Sequence, residues 1–129
     1  MKMRSSKVWA LMLALGVVIA PLARAEPPPI VQQEINYLIW YVGDSGCEFK
    51  RNGIWNNSKA AEAHVRDKYD LMVRLGLIDT TKHFIDKAAT ESSLSGQPYE
   101  IRCGGDLPMP SGRWVSNELA RYRASHRKP

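Results

Sequence analysis

The sequence predicts an α+β fold, in which a small antiparallel β-sheet packs against about four helices and one disulfide staples the whole. Three observations predict it. Residues 47–51 and 99–103 alternate in polarity with period two, as half-buried strands do. Four longer stretches repeat apolar residues at spacings of three and four, the period of a helix with one buried face. The chain's two cysteines, Cys47 and Cys103, fall one in each strand. A length of 129 residues suits a single domain.

The chain opens with Lys2, Arg4 and Lys7, an apolar run from Val8 to Ala20, Pro21, and then Ala23-Arg24-Ala25. A cationic start, an apolar middle and small residues before a cut after Ala25 are the parts of a cleaved secretory signal peptide, residues 1–25. The run is shorter than the ~20 residues that cross a bilayer, so no transmembrane segment is expected after cleavage. Residues 26–29, with Pro27-Pro28-Pro29, read as a stiff spacer. A single domain over 30–124 and a basic tail over 125–129 complete the organisation.

Within the domain, Val31, Ile35, Leu38 and Val42 mark the first helix, ended by Gly43. The strand from Cys47 to Arg51 runs into Asn52-Gly53, a strong hairpin signal because both residues tolerate positive φ, and Ile54-Trp55 begins a short return strand. Asn57 or Ser58 caps a long helix to about Leu75, with Ala61, Val65, Tyr69 and Met72 on one face and Gly76 at its close. Asp79 or Thr80 caps the next helix, whose inner face holds Phe84, Ile85, Ala88 and Ala89. Ser95 to Pro98 form a turn, Tyr99 to Cys103 the second clear strand, and a loop leads to a last helix from about Gly112 with Val115, Leu119 and Tyr122 inward.

Export to an oxidising compartment makes Cys47 and Cys103 disulfide partners. The closed loop of roughly 57 residues is worth about 4 kcal/mol by chain entropy. An antiparallel register with Cys47 facing Cys103 sets Phe49 opposite Ile101 and Arg51 opposite Tyr99. It also sets Glu48 opposite Arg102 and Lys50 opposite Glu100, two pairs of opposite charge. A parallel pairing offers nothing comparable.

Of the 18 Lys and Arg residues, four precede residue 26, so the remainder nearly balances 13 Asp and Glu. No basic stripe with interleaved aromatics is left, and no nucleic-acid partner is expected. Arg121, Arg123, Arg127 and Lys128 near the end read as a solvated tail. Three histidines with no i,i+4 pair and no Cys-x-x-Cys imply no metal and no cofactor. His64 and Lys68 stand one turn apart on the long helix, so they share a face. Ser92 and Ser93 beside Gly96 lack the G-x-S-x-G elbow of a strand-borne nucleophile and read as turn and cap residues.

Taken together, Cys47 to Gly53, Ala60 to Tyr69, Phe84-Ile85, and Ser92 to Tyr99, with a closing helix at Trp114, resemble the YfeK-like family of small exported bacterial proteins of unknown function. The resemblance implies a periplasmic location and no assigned activity, and it supplies no catalytic residues. Arg51-Asn52-Gly53, His64, Lys68 and the segment from Ser93 to Tyr99 are the polar positions that the resemblance points to. The expected function is a non-enzymatic, monomeric binding or interaction module meeting an envelope protein, peptide or glycan. Arg51 would clamp an anion, His64 and Lys68 would supply polar groups, and Tyr99 an apolar platform. Two alternatives stand beside it: a small hydrolase using His64 with Ser92 or Ser93, and a purely structural envelope protein.

Overall fold

The computed structural model describes residues 16–17 and 26–127. The expected signal peptide, apart from residues 16 and 17, therefore lies outside the described residues, as do the last two residues of the tail. Helix α1 (Pro29–Asp44) starts directly in the proline run. Pro29 sits where a helix has no use for an N–H, and its fixed φ suits the first turn. Pro29 thus belongs to the helix rather than to a spacer, and Gln32 Nε2 ties the turn back to the Pro27 carbonyl at 2.6 Å. Ile35, Leu38, Ile39 and Val42 form its buried stripe.

Strand β1 (Glu48–Arg51) turns through Asn52 (φ 49°) and Gly53 (φ 82°) into β2 (Ile54–Asn56). Two successive positive φ values are the hairpin geometry the Asn-Gly pair favours. Helix α2 (Ser58–Arg74) is capped by Asn57, whose side chain accepts from the Ala60 N–H at 2.8 Å. Helix α3 (Thr81–Phe84) is capped by Thr80 and widens into a π-helical turn, Ile85–Ala89. The Thr90 hydroxyl donates to the Ile85 carbonyl at 2.7 Å, satisfying an acceptor at that widened turn. Strands β3 (Glu100–Arg102) and β4 (Met109–Pro110) complete an antiparallel sheet of order β2-β1-β3-β4. Strand β4, read from sequence as loop, is only two residues long. Helix α4 (Ser111–Ser125) follows at once.

The chain is α+β with one disulfide, Cys47–Cys103, whose Cα atoms are 4.4 Å apart. The expected register is present: Glu48 faces Arg102, Phe49 faces Ile101 and Lys50 faces Glu100. Both charge pairs form on the solvent side, at 3.2 Å for Arg102 with Glu48 and 3.6 Å for Lys50 with Glu100. Arg51 and Tyr99 do not continue the ladder. Tyr99 instead donates its N–H to the Thr90 carbonyl at 2.8 Å and accepts the Ser111 N–H at 2.9 Å, which draws its backbone toward the helices.

On the inner side, Phe49 and Ile101 pack into one core with Ile35, Leu38, Phe84 and Val115. Gly112 brings α4 close to the π turn: a Cβ there would stand 2.5 Å from Thr90 Oγ1. Arg123, read as part of a free tail, is a correction. It lies within α4 and forms a two-armed ion pair with Glu34 of α1, at 2.6 and 2.9 Å. No helix among the described residues is long and apolar enough to cross a membrane.

Candidate functional site

Arg51, His64, Lys68 and Tyr99 come together where α2 crosses the end of β1. The hairpin turn leaves Arg51 exposed at the strand end. The helical repeat of α2 stacks His64 and Lys68 beneath it. Tyr99 is buried, held by the two backbone bonds that took it out of the ladder. Arg51 Nη1 lies 2.9 Å from His64 Nδ1 and 3.3 Å from Nε2. His64 Nε2 lies 3.3 Å from the Tyr99 hydroxyl. Lys68 Nζ donates to that hydroxyl at 3.0 Å and to the Glu91 carbonyl at 2.8 Å, and it stands 4.9 Å from the Tyr99 ring centroid.

A guanidinium only donates, so the imidazole nitrogen that accepts from Arg51 carries no proton. In the tautomer with Nδ1, the nearer nitrogen, as that acceptor, Nε2 carries the ring proton toward Tyr99. The Tyr99 oxygen then accepts from His64 as well as Lys68 and keeps its own proton to donate; in the other tautomer Tyr99 donates to Nε2. Tyr99 is buried and meets its neighbours through its hydroxyl, whereas the sequence alone gives it the part of an apolar platform.

Electrostatics follow from that crowding. Burial, then the charges of Arg51 and Lys68, hold the His64 pKa below its ordinary 6.5. Burial lowers Lys68 to about 8, with Arg51 adding to the effect and Glu91 opposing it. Burial raises Tyr99 while the Arg51 charge partly offsets it. Among the described residues, no carboxylate lies within ion-pair distance of Arg51 or Lys68.

Beneath this cluster lies a cavity of about 110 Å³ between α2, β1 and α4. Its floor is apolar, made by Val42, Phe49, Ala61, Val65, Ala89 and Val115, and Arg51, His64 and Tyr99 stand at its polar side. Lys68 is not part of that lining; it braces Tyr99 from behind. The apolar floor escaped the sequence reading because the same residues satisfy the ordinary core pattern of α2 and β1.

Among the described residues, the arrangement expected of a hydrolase built on His64 with Ser92 or Ser93 is not formed. His64 meets Arg51 and Tyr99 rather than a serine, and no carboxylate among those residues is hydrogen-bonded to its ring. Ser92 Oγ instead accepts from the Ser95 N–H at 3.4 Å and from Asn52 Nδ2 at 3.5 Å. Ser95 Oγ donates to Asn52 Oδ1 at 2.6 Å. These bonds clamp the turn over residues 92–96 to the hairpin tip. Ser93 is exposed and makes none of them.

Fold and site together define a small disulfide-stapled α+β domain with a cationic mouth over an apolar cavity. The chain belongs to the DUF5329 family, a family of unknown function, whose model matches residues 29–123. It is also similar to the uncharacterized protein YfeK of Salmonella typhimurium, at 45% identity over 51 residues. That match spans 40% of this chain and 41% of the relative's length. No solved structure matches.

Proposed function

We propose that this protein is an exported, periplasmic, non-enzymatic binding module whose ligand presents an anionic group to Arg51. One observation carries the reading: the Arg51 and Lys68 charges flank the His64 imidazole, with no carboxylate among the described residues within ion-pair distance of either, beside an apolar cavity. Holding like charges together costs free energy that nothing in the fold returns, whereas an incoming anion would offset it. The disulfide suits an oxidising compartment, and the amino-terminal segment has the form of an export signal. The two together support the location.

The test is recovery of partners from envelope extract on immobilised protein, wild type beside Arg51→Ala, quantified by mass spectrometry. The reading expects at least one partner to fall at least about tenfold with the variant, the loss of one charge-assisted contact. Equal recovery of every partner by both proteins would remove Arg51 from any binding role.

A further inference from the structure

Resting on that reading, we propose that the cavity takes a carboxylate borne on a compact apolar body, with the carboxylate at Arg51 and Tyr99. Three features of the cavity narrow the ligand to this class.

Charge comes first. Among the described residues, the cations lining the cavity are Lys50, paired with Glu100, and Arg51, which has no ion-pair partner there and can meet an anion. Lys68 is turned to Tyr99 and the Glu91 carbonyl. One open guanidinium and one hydroxyl proton match a monoanion with two planar oxygens better than a phosphate dianion, which needs more donors. In the imidazole tautomer that accepts from Arg51 at Nδ1, which the proposal takes, the Tyr99 oxygen accepts from His64 and Lys68, and the Tyr99 proton supplies the second donor.

The floor comes second. Val65, Phe49, Ala89 and Val115 offer no hydrogen-bond partner, and Asn56 and Ser111 are the further polar side chains of the lining. A body resting on the floor is therefore aliphatic or aromatic, since a sugar ring there would leave the hydroxyls that face those four side chains unsatisfied. Size comes third. A core cavity of ~150 Å³ accommodates the six carbons of benzene, so about 110 Å³ suits a body of roughly four or five carbons.

A free monocarboxylic acid and the carboxyl terminus of a peptide ending in an apolar residue present the same chemistry. The experiment separates them. The oxidised protein is titrated calorimetrically with 4-methylpentanoate and with acetyl-Ala-Leu, each beside its primary amide. At least one acid should bind, with its amide at least about tenfold weaker, and Arg51→Gln should weaken the acid by a similar factor. Stronger binding of the dipeptide assigns the site to chain termini; equal or stronger binding of the free acid assigns it to small acids. Ala60→Trp, a change at an exposed residue on the cavity rim, should abolish binding of both. Both circular dichroism and thiol content confirm that each variant folds.

Acid and amide binding alike, binding that survives Ala60→Trp, or no binding of either acid would overturn the ligand class. If that happens while Arg51→Ala still loses partners from envelope extract, the anion site stands and only the carboxylate assignment falls.

Discussion

Two polar clusters hold this domain's helices, and they are built on opposite principles. Between α1 and α4, each charge has an opposite charge. Arg123 grips Glu34, and Thr81 donates to the same carboxylate at 2.6 Å. Nearby, Tyr37 donates to Glu118 at 2.7 Å, and Glu118 pairs with Arg121. Between α2 and β1, by contrast, Arg51 bonds to His64, and Lys68 to Tyr99 and the Glu91 carbonyl. Among the described residues no carboxylate is within ion-pair distance of Arg51 or Lys68, although Glu91 and Asp67 act on the cluster from farther off. The first cluster is complete in itself and fastens helices. The second has no ion-paired partner for Arg51 or Lys68 among the described residues, and it borders the apolar cavity. Paired charges fasten the first cluster; the proposed function rests on the second.

The largest expected difference is in stability. Arg123→Ala strands the buried Glu34 carboxylate with Thr81 alone and should cost about 2–3 kcal/mol in denaturant unfolding at neutral pH. Arg51→Ala should change stability by less than about 0.5 kcal/mol, because Arg51 is exposed and its removal relieves repulsion. A large loss from Arg51→Ala would erase the contrast. The Arg123→Ala penalty should also shrink in acid. The Arg123 hydrogen bond holds Glu34 below its ordinary 4.5, so its contribution is present above that value and fades as pH falls through the lowered one.

Next in size is the tyrosine pair. The bond to Glu118 pushes Tyr37 up to about 12. Its proton therefore stabilises the fold below pH 10, and that contribution is lost as pH rises toward 12. Ultraviolet difference titration should show Tyr37→Phe removing the latest-ionising tyrosine, at a cost of about 1 kcal/mol. An unchanged last ionisation step would contradict the Tyr37–Glu118 bond.

The smallest expected change is the response of the Lys68 titration to Arg51. With its pKa near 8 rather than 10.5, the folded state resists protonating it, so its contribution is present above 10.5 and lost as pH falls through about 8. NMR of ¹³C-dimethylated lysines should resolve one resonance titrating near 8 that moves upward in Arg51→Ala, since the Arg51 charge helps lower it. A cluster in which that resonance ignores Arg51 is not electrostatically coupled.

Legibility in the sequence followed the range of the interaction. The β1–β3 register was readable because two complementary charge pairs and two cysteines agree on it. Arg51, His64, Lys68 and Tyr99 were singled out because they fall in the segments that carry the family resemblance, and the i,i+4 step of α2 put His64 and Lys68 on one face. That the Tyr99 hydroxyl meets Lys68 and His64 was not legible, because those neighbours come from distant segments.

The Glu34–Thr81–Arg123 group was invisible. Its members lie 47 and 89 residues from Glu34, and no periodicity announces a pairing across that distance. Arg123 looked like one of several tail cations for the same reason. Strand β4 was hidden by its brevity and by Pro110, a residue that argues against a strand interior. The π turn left no periodic mark either, because its widened step simply extends the apolar face of Ile85, Ala88 and Ala89.

The most direct measurement is the His64 imidazole pKa by ¹H–¹⁵N NMR in wild type, Arg51→Ala and Arg123→Ala. His64 is faced by Arg51 from β1, by Lys68 and Asp67 from α2, and by the Tyr99 hydroxyl next to β3. Net positive surroundings together with burial predict a wild-type value below 6.5, a rise in Arg51→Ala and no change in Arg123→Ala. A wild-type value at or above 6.5 that Arg51→Ala leaves in place would show that the cluster carries no unneutralised charge for a ligand to answer.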